Sequence, residues 1–90
     1  MIFEWDESKR ESNLLKHEVD FLDAVKIFDN PILEWSDNRQ DYGEERLMSL
    51  GVFKNDYFVI VSTWRGEKRR IISAWKAGTD EKRAYHHYLA

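Results

Sequence analysis

Residues 46–77 read RLMSLGVFKNDYFVIVSTWRGEKRRIISAWKA, and this stretch decides the fold. It holds three runs rich in apolar, β-branched and aromatic residues, separated by two short polar breaks. The runs are about Arg46–Phe53, Tyr57–Trp64 and Arg69–Ala77. The breaks, Lys54–Asp56 and Arg65–Glu67, are short enough to be hairpin turns. The stretch therefore predicts three consecutive antiparallel strands.

Before the strands, the sequence predicts helices. Phe3–Trp5 is a short edge strand, and Asp6 caps a first helix that runs to about His17, because its carboxylate can accept the free amides of the first turn. Leu14 and Leu15 are predicted to supply the apolar side of this helix.

Asp20 is predicted to cap a second helix, about Phe21–Phe28, that stops at Asn30-Pro31 because the residue before proline avoids the helical conformation. Its core stripe is predicted from helical spacing: Phe21, Leu22, Val25 and Phe28. A strand over Ile32–Ser36 and a loop over Asp37–Gly43 follow.

After the strands, Thr79 is predicted to cap a final helix, with Tyr85, Tyr88 and Leu89 packing it onto the sheet. The order of strand, two helices, antiparallel meander and helix is typical of an α+β fold. Ninety residues fit one domain, 1–90, whose small core favours a shallow groove, suited to a polymer, over a deep pocket.

Composition narrows the class of protein. The chain has no cysteine, which excludes disulfides and thiolate metal sites. No apolar run approaches the roughly 20 residues of a membrane span. The first residues, MIFEWD, are acidic and unlike a signal peptide. We therefore expect a cytoplasmic protein that does not enter a membrane.

Charge is divided unevenly along the chain. Residues 1–45 carry 5 basic and 13 acidic residues, a balance of −8, whereas residues 46–90 carry 9 basic and 4 acidic residues, a balance of +5. The basic half is where a polyanion can bind, although pairing of the two halves with each other is the alternative explanation.

The densest basic stretch, WRGEKRR over residues 64–70, continues into IISAWK over residues 71–76. Tryptophans give flat surfaces for base stacking and arginines give planar donors for phosphate, as in single-strand nucleic-acid binding. Regular alternation predicts two faces of this strand. One face would carry Arg69, Ile71, Ser73 and Trp75, and the other Arg70, Ile72, Ala74 and Lys76. A hairpin with core tryptophans and solvated arginines is the alternative.

The first predicted helix carries a polar ridge formed by Lys9, Asn13 and His17, with Lys16 beside it. Histidine can transfer a proton near neutral pH and lysine can hold a phosphate, although taken alone the ridge is better explained as a solvated helix face. Metal catalysis is poorly supported, because the adjacent His86 and His87 cannot chelate together and the carboxylates are scattered. No cofactor is predicted.

Several short motifs together resemble the BrnT toxins of bacterial toxin–antitoxin pairs. The similarity covers nearly the whole chain. It is carried by Phe3-Glu4-Trp5-Asp6, Lys9, Asn13, Lys16-His17, Val19, Phe21, Gly43-Glu44-Glu45-Arg46, Thr63, Arg65-Gly66 and Arg70-Ile71-Ile72-Ser73-Ala74, and more loosely by Glu81 and Tyr85.

This resemblance implies a RelE-like fold, with helices packed on one face of an antiparallel sheet and the other face partly open. It implies metal-independent RNA cleavage that inhibits translation. It also implies a small ribbon-helix-helix antitoxin, similar to BrnA, that masks the toxin and carries the complex to operator DNA.

The resemblance also implies site residues. His17 is the candidate acid or base, with Glu45 as a weaker candidate, and Arg65 and Arg70 are the candidate phosphate clamps. Residues that would bind RNA are Lys9, Asn13, Lys16, Arg69, Ser73, Trp75 and Lys76.

Two positions depart from the family pattern. Glu18 follows the Lys-His pair where the family usually has glycine, a residue that readily ends a helix in the left-handed conformation. Trp75 stands where the family usually has arginine, and tryptophan cannot give a bidentate pair to phosphate.

Three functions therefore compete. The first is a ribonuclease toxin. The second, favoured by Trp75, is a catalytically weak or inactive module that binds an antitoxin and acts with it in operon autoregulation. The third is a plain sheet-based RNA-binding domain outside any operon pair.

Overall fold

The computed structural model describes residues 1–89, which form one five-stranded mixed sheet and its covering helices. The strands are β1 (Ile2–Glu4), β2 (Leu33–Ser36), β3 (Leu47–Phe53), β4 (Asp56–Arg65) and β5 (Lys68–Lys76). The helices are α1 (Glu7–His17), α2 (Phe21–Ala24), a 3₁₀ helix (Val25–Asp29) and α3 (Thr79–Leu89). The strand order is β1-β5-β4-β3-β2, so the α+β class predicted from the sequence is confirmed.

The predicted meander is confirmed at the centre of the sheet. β3 pairs antiparallel with β4, and β4 pairs antiparallel with β5. Lys54 and Asn55 connect β3 to β4 with φ angles of 50° and 70°. Positive φ at both central residues of a two-residue turn matches the right-handed twist of the flanking strands.

The prediction of a purely antiparallel sheet is wrong at one edge. β1 lies beside β5 and runs parallel to it, with Ile2 opposite Lys68 and Glu4 opposite Arg70. The three-residue β1 has no hairpin partner in the sequence, because the strand it pairs with lies more than sixty residues away. Its position at the sheet edge agrees with the prediction.

A β-bulge in β5 overturns the predicted alternation of that strand. Val61 pairs with Ser73 and Ser62 pairs with Ile71, which leaves Ile72 without a partner on β4. An extra residue in one strand reverses which face the following side chains point to. Ile71 and Ala74 therefore share one core cluster, against the prediction that they point to opposite faces.

The two faces of the sheet carry separate cores. The first core joins α2 and the 3₁₀ helix to the sheet, with residues Val19, Phe21, Ala24, Ile27, Phe58, Ile60, Ile71 and Ala74. The second core joins α3 to the sheet, with residues Leu50, Val59, Ala77 and Tyr85. Gly51 lets the 3₁₀ helix approach β3 closely, since a Cβ there would lie 2.9 Å from the Cβ of Ile27.

Several helix predictions need correction. The second helix is α-helical only to Ala24 and then tightens into the 3₁₀ helix. Leu14 and Leu15 do not supply an apolar side, because they are 45% and 86% exposed. Helix α1 is held by polar contacts instead: Arg10 donates to both carboxylate oxygens of Asp20, at 2.8 and 2.9 Å, and lowers the pKa of that carboxyl.

The apolar stripe of the second helix also differs from its prediction. Leu22 is half exposed, while Ala24 and Ile27 are fully buried in its place. The shift to 3₁₀ geometry changes the angle between successive residues and so rotates the stripe.

At the C-terminal helix, Tyr85 packs against the sheet as predicted, but Tyr88 is 70% exposed and Leu89 is 39% exposed. Gly78, rather than Thr79, lies at the cap. Its carbonyl accepts from the Lys82 amide, and its own amide donates to Glu81 at 2.7 Å.

Within residues 1–89, no helix is long and apolar enough to cross a membrane.

Candidate nucleic-acid interface

Helix α1 is capped by hydrogen bonds at both ends, which fixes the orientation of its last turn and of His17. At the start, Asp6 accepts from the Ser8 and Lys9 amides at 2.8 and 3.4 Å, and bonding to Ser8 lowers the pKa of Asp6. At the end, Glu18 adopts the left-handed conformation at φ 59°, and its amide donates to the Leu14 carbonyl at 2.9 Å. The helix therefore ends as a glycine would end it, despite the glutamate.

Asn13 attaches α1 to the open edge of β5. Its side-chain nitrogen donates to the carbonyls of Val19 and Ala74, at 2.9 and 2.8 Å. Its side-chain oxygen accepts from the Ala74 amide and the Ser73 hydroxyl, both at 3.1 Å. The amide thus pairs with Ala74 as a neighbouring strand would and covers an edge that β1 leaves free.

Beyond Asn13, an open groove of about 650 Å³ lies where the end of α1 meets β5. The His17 ring lies 6.0 Å from the Trp75 ring, and the Arg39 guanidinium lies 5.5 Å from the centre of the same ring. The groove is lined by Lys16, His17, Arg39, Ser73, Trp75 and Lys76. We call this set the Trp75 groove.

Arg39 is held in the groove by a buried carboxylate. Asp37, whose side chain is fully buried, accepts from Nε and Nη2 of Arg39, each at 2.8 Å, and from its amide at 3.2 Å. The guanidinium lowers the pKa of Asp37 to about 2, and the carboxylate raises the pKa of Arg39. More than half of the Arg39 side chain remains exposed, so its outer face is open to a ligand.

Sequence reasoning did not identify Arg39 as a site residue. It lies in the polar loop between β2 and β3, outside the strand where basic residues are dense. The signal that was present is Asp37, two positions earlier, since an aspartate can bond the backbone two residues on and anchor a turn.

The structure brings together His17, Lys16, Ser73, Trp75 and Lys76 from the predicted site. It turns two other predicted RNA-binding residues inward. Asn13 is 6% exposed, with both side-chain polar atoms bonded within the protein. Arg69 is 3% exposed, donates to Ser62 and Ser49 at 2.9 Å, and pairs with Glu34.

The remaining predicted residues do not line the Trp75 groove. Arg70 pairs with Glu4 at 2.6 Å, across the β1–β5 ladder. Arg65 lies 3.4 Å from Glu44 near the far end of β4. Glu45 is exposed, and its backbone carbonyl accepts from Thr63 at 2.7 Å. Lys9 is exposed in the first turn of α1.

Chemically, the Trp75 groove offers a flat aromatic surface, an imidazole and three cationic side chains on an open face. Among residues 1–89, no three histidine or carboxylate side chains come together as metal ligands. A shallow, basic and aromatic surface of this kind suits a single nucleic-acid strand.

Comparison with known proteins identifies the family. A search of curated proteins finds no match. The sequence model of one family, described as "Ribonuclease toxin, BrnT, of type II toxin-antitoxin system", matches residues 5–81. That match leaves out β1. It includes the other four strands, helix α1 and all the residues of the Trp75 groove. The chain therefore belongs to the BrnT family of ribonuclease toxins of type II toxin–antitoxin systems.

Proposed function

We propose that this protein cleaves single-stranded RNA in the Trp75 groove by attack of the ribose 2′-hydroxyl, without a metal ion. One observation carries the proposal: the His17 ring and the Arg39 guanidinium lie 6.0 and 5.5 Å from the ring of the half-buried Trp75. A base, a phosphate and a proton acceptor can therefore be held at once.

Binding follows from the groove's composition. A base stacks on Trp75, an interaction that tolerates any sequence because every base has a π-face. Arg39 has one side bonded to Asp37, and its free side reaches a phosphate. Lys16 and Lys76 add positive charge on either side. A stacked arginine is a suitable phosphate donor because its planar donors are already ordered.

In the proposed reaction His17 is the general base. His17 accepts the proton of the 2′-hydroxyl, the 2′-oxygen forms a bond to phosphorus, and the bond from phosphorus to the 5′-oxygen breaks. The 5′-oxygen takes a proton from water. Arg39 and Lys16 stabilise the charge that develops on the phosphate oxygens. The products are a 2′,3′-cyclic phosphate and a 5′-hydroxyl.

We propose a supporting role for the basic residues outside the groove. Arg65, with a side chain 54% exposed, extends the positive surface along the RNA, and Lys9 does so from α1. We assign no chemical step to Arg65, Arg70 or Glu45, since none of them lines the groove.

In the cell, we propose that the protein is a cytoplasmic toxin with a RelE-like fold whose RNA cleavage inhibits translation. A type II toxin implies an antitoxin partner. We propose that this partner is a small ribbon-helix-helix protein, and that the toxin meets operator DNA only through it.

The test is RNA cleavage by the purified chain, with and without chelator. We expect chelator-resistant cleavage that leaves 2′,3′-cyclic phosphate ends. His17→Ala should lower the rate by about 100-fold, within the usual contribution of a proton-transfer group. Trp75→Ala and Arg39→Ala should weaken RNA binding by about tenfold each.

Matched controls lie on α3, outside the residues that line the Trp75 groove. His87→Ala and Arg83→Ala change exposed residues of α3 and should leave cleavage at the wild-type rate. Cleavage at the wild-type rate in His17→Ala, or cleavage that chelator abolishes, would overturn the mechanism. A folded protein that binds RNA without cutting it would overturn the enzymatic function.

A further inference from the structure

A second groove lies at the other edge of the sheet, between β2 and α3. Its volume is about 480 Å³, enough for one or two large apolar side chains. It is lined by Leu33, Glu34, Trp35, Leu50, Asp80, Glu81, Ala84 and Tyr88. We call it the Trp35 groove. Its aromatic residues are open to solvent, with Trp35 41% and Tyr88 70% exposed.

The position of the Trp35 groove beside a sheet edge is unusual for a surface without a partner. β2 is the last strand of the sheet, and within residues 1–89 it pairs only with β3. Native proteins normally protect such edges with charge, proline or a covering segment. Here two large aromatic side chains flank the edge instead, and exposed apolar patches of this kind mark protein interaction sites.

Charge selects the kind of occupant. The residues lining the groove include no basic residue and three acidic ones, of which Glu34 is already paired with Arg69, so the free acidic charge at the rim is that of Asp80 and Glu81. Asp80 is almost fully exposed and only loosely paired with Arg83, at 3.6 Å. An acidic rim repels RNA and DNA and favours a segment that carries lysine or arginine. The occupant is therefore a protein segment with apolar anchors and basic flanks.

We propose that the Trp35 groove is the docking site of the antitoxin, which inserts one or two large apolar side chains between β2 and α3 and sets basic residues against Asp80 and Glu81. This inference rests on the antitoxin partner that family membership implies and not on the cleavage mechanism. β2 and β5 are separated by two strands, or about 14 Å at the usual strand spacing. The Trp35 groove is thus distinct from the Trp75 groove.

The test is binding between the full chain and the purified product of the reading frame adjacent to its gene, measured by calorimetry. Tyr88→Ser and Trp35→Ser should each weaken this complex by about tenfold or more, as expected for aromatic anchors. Asp80→Lys should also weaken the complex, and by more at low salt than at high salt, because like charges then repel more strongly. The melting temperature and RNA binding of each variant should match the wild type.

Two control variants distinguish binding in the Trp35 groove from non-specific binding to other exposed residues. Leu15→Ser removes an apolar side chain that is 86% exposed on α1, and Asp23→Lys reverses an exposed charge on α2. Both should leave the complex unchanged.

Three outcomes would overturn the proposal. The first is that the adjacent product binds all groove variants as tightly as the wild type. The second is that it does not bind the wild type. The third is that the groove variants abolish a dimer of this chain, seen by sedimentation, without affecting the complex. Intact RNA cleavage in any of these cases would leave the proposed ribonuclease function standing.

Discussion

The contact between Arg39 and Trp75 joins a loop residue to a strand residue. Trp75 supplies a ring at the end of β5, and Arg39 reaches the ring from a loop. Asp37 connects them to the fold, because its buried carboxylate holds the guanidinium by two side-chain bonds. The orientation of Arg39 therefore depends on the charge of Asp37.

Because of this ion pair, we expect the free energy of unfolding to fall in acid. The pKa of Asp37 is lowered to about 2 from 3.8, so its contribution to folding is fully present above about pH 4 and is lost as pH falls towards 2. Asp37→Asn should therefore lower the free energy of unfolding at pH 7, by on the order of 1 kcal/mol. The variant should also lose the part of the pH dependence between pH 4 and pH 2, measured by urea unfolding at each pH.

Asp29→Asn, at the exposed last residue of the 3₁₀ helix, is the matched control and should change stability by only a few tenths of a kcal/mol. Equal stability of Asp37→Asn and wild type at pH 7 would contradict the role assigned to the ion pair.

The sequence identified the polar side chains of α1 as a group but did not show which of them are buried. The polar ridge on α1 was predicted as one surface, yet His17 lines the groove while Asn13 is buried. An asparagine can satisfy all its hydrogen-bonding groups inside a protein, and a strand edge beside it provides the partners. That edge belongs to β5, so no local pattern around Asn13 reveals it.

At the scale of elements, the strands with hairpin turns were predictable because each turn and its two strands are contiguous. β1 pairs with residues far along the chain, so its parallel direction was not predictable from three residues. The bulge at Ile72 was also invisible, although it decides which face Trp75 occupies. The side chains that share a groove with Trp75 therefore follow from the register and not from alternation.

The end of α1 gives a test at this scale. Glu18 holds a left-handed conformation, φ 59°, that costs a non-glycine residue about 1–2 kcal/mol. Glu18→Gly should remove that strain, and part of the gain is offset by the greater freedom of glycine in the unfolded chain. We expect a net stabilisation of about 0.5–1 kcal/mol, measured by the midpoint of chemical unfolding.

The same substitution within the helix should act in the opposite direction. Glu11→Gly lies in the exposed middle of α1 and should destabilise the protein by about 1 kcal/mol. If Glu18→Gly were also destabilising, the glutamate side chain would be contributing contacts that outweigh its backbone strain.

At the scale of the whole molecule, the fold separates charge into two surfaces. The basic residues of the Trp75 groove lie where α1 meets β5, and the carboxylates of the Trp35 groove lie at the opposite edge of the sheet. The acidic and basic halves of the sequence do not account for this polarity. Lys16 and Arg39 of the Trp75 groove come from the acidic half, and Asp80 and Glu81 of the Trp35 groove come from the basic half. The fold therefore sorts the charges, since a loop brings Arg39 to Trp75.

The separation predicts how RNA binding responds to salt. Each cation that neutralises a phosphate of a single strand contributes about −0.7 to the slope of log affinity against log salt concentration. Lys16, Arg39 and Lys76 together should give a slope of about −2 or steeper for a single-stranded RNA oligonucleotide. Replacing any one of them with alanine should make the slope shallower by about 0.7, measured by fluorescence anisotropy over a salt series.

Trp75→Ala should behave differently from these three variants. Stacking is not electrostatic, so its loss should lower affinity by a similar factor at every salt concentration and leave the slope unchanged. Arg83→Ala, which removes a cation from the side of α3, should alter neither quantity. If Arg83→Ala made the slope shallower by as much as Arg39→Ala does, RNA would be responding to the overall charge of the molecule, and the Trp75 groove would not be its binding surface.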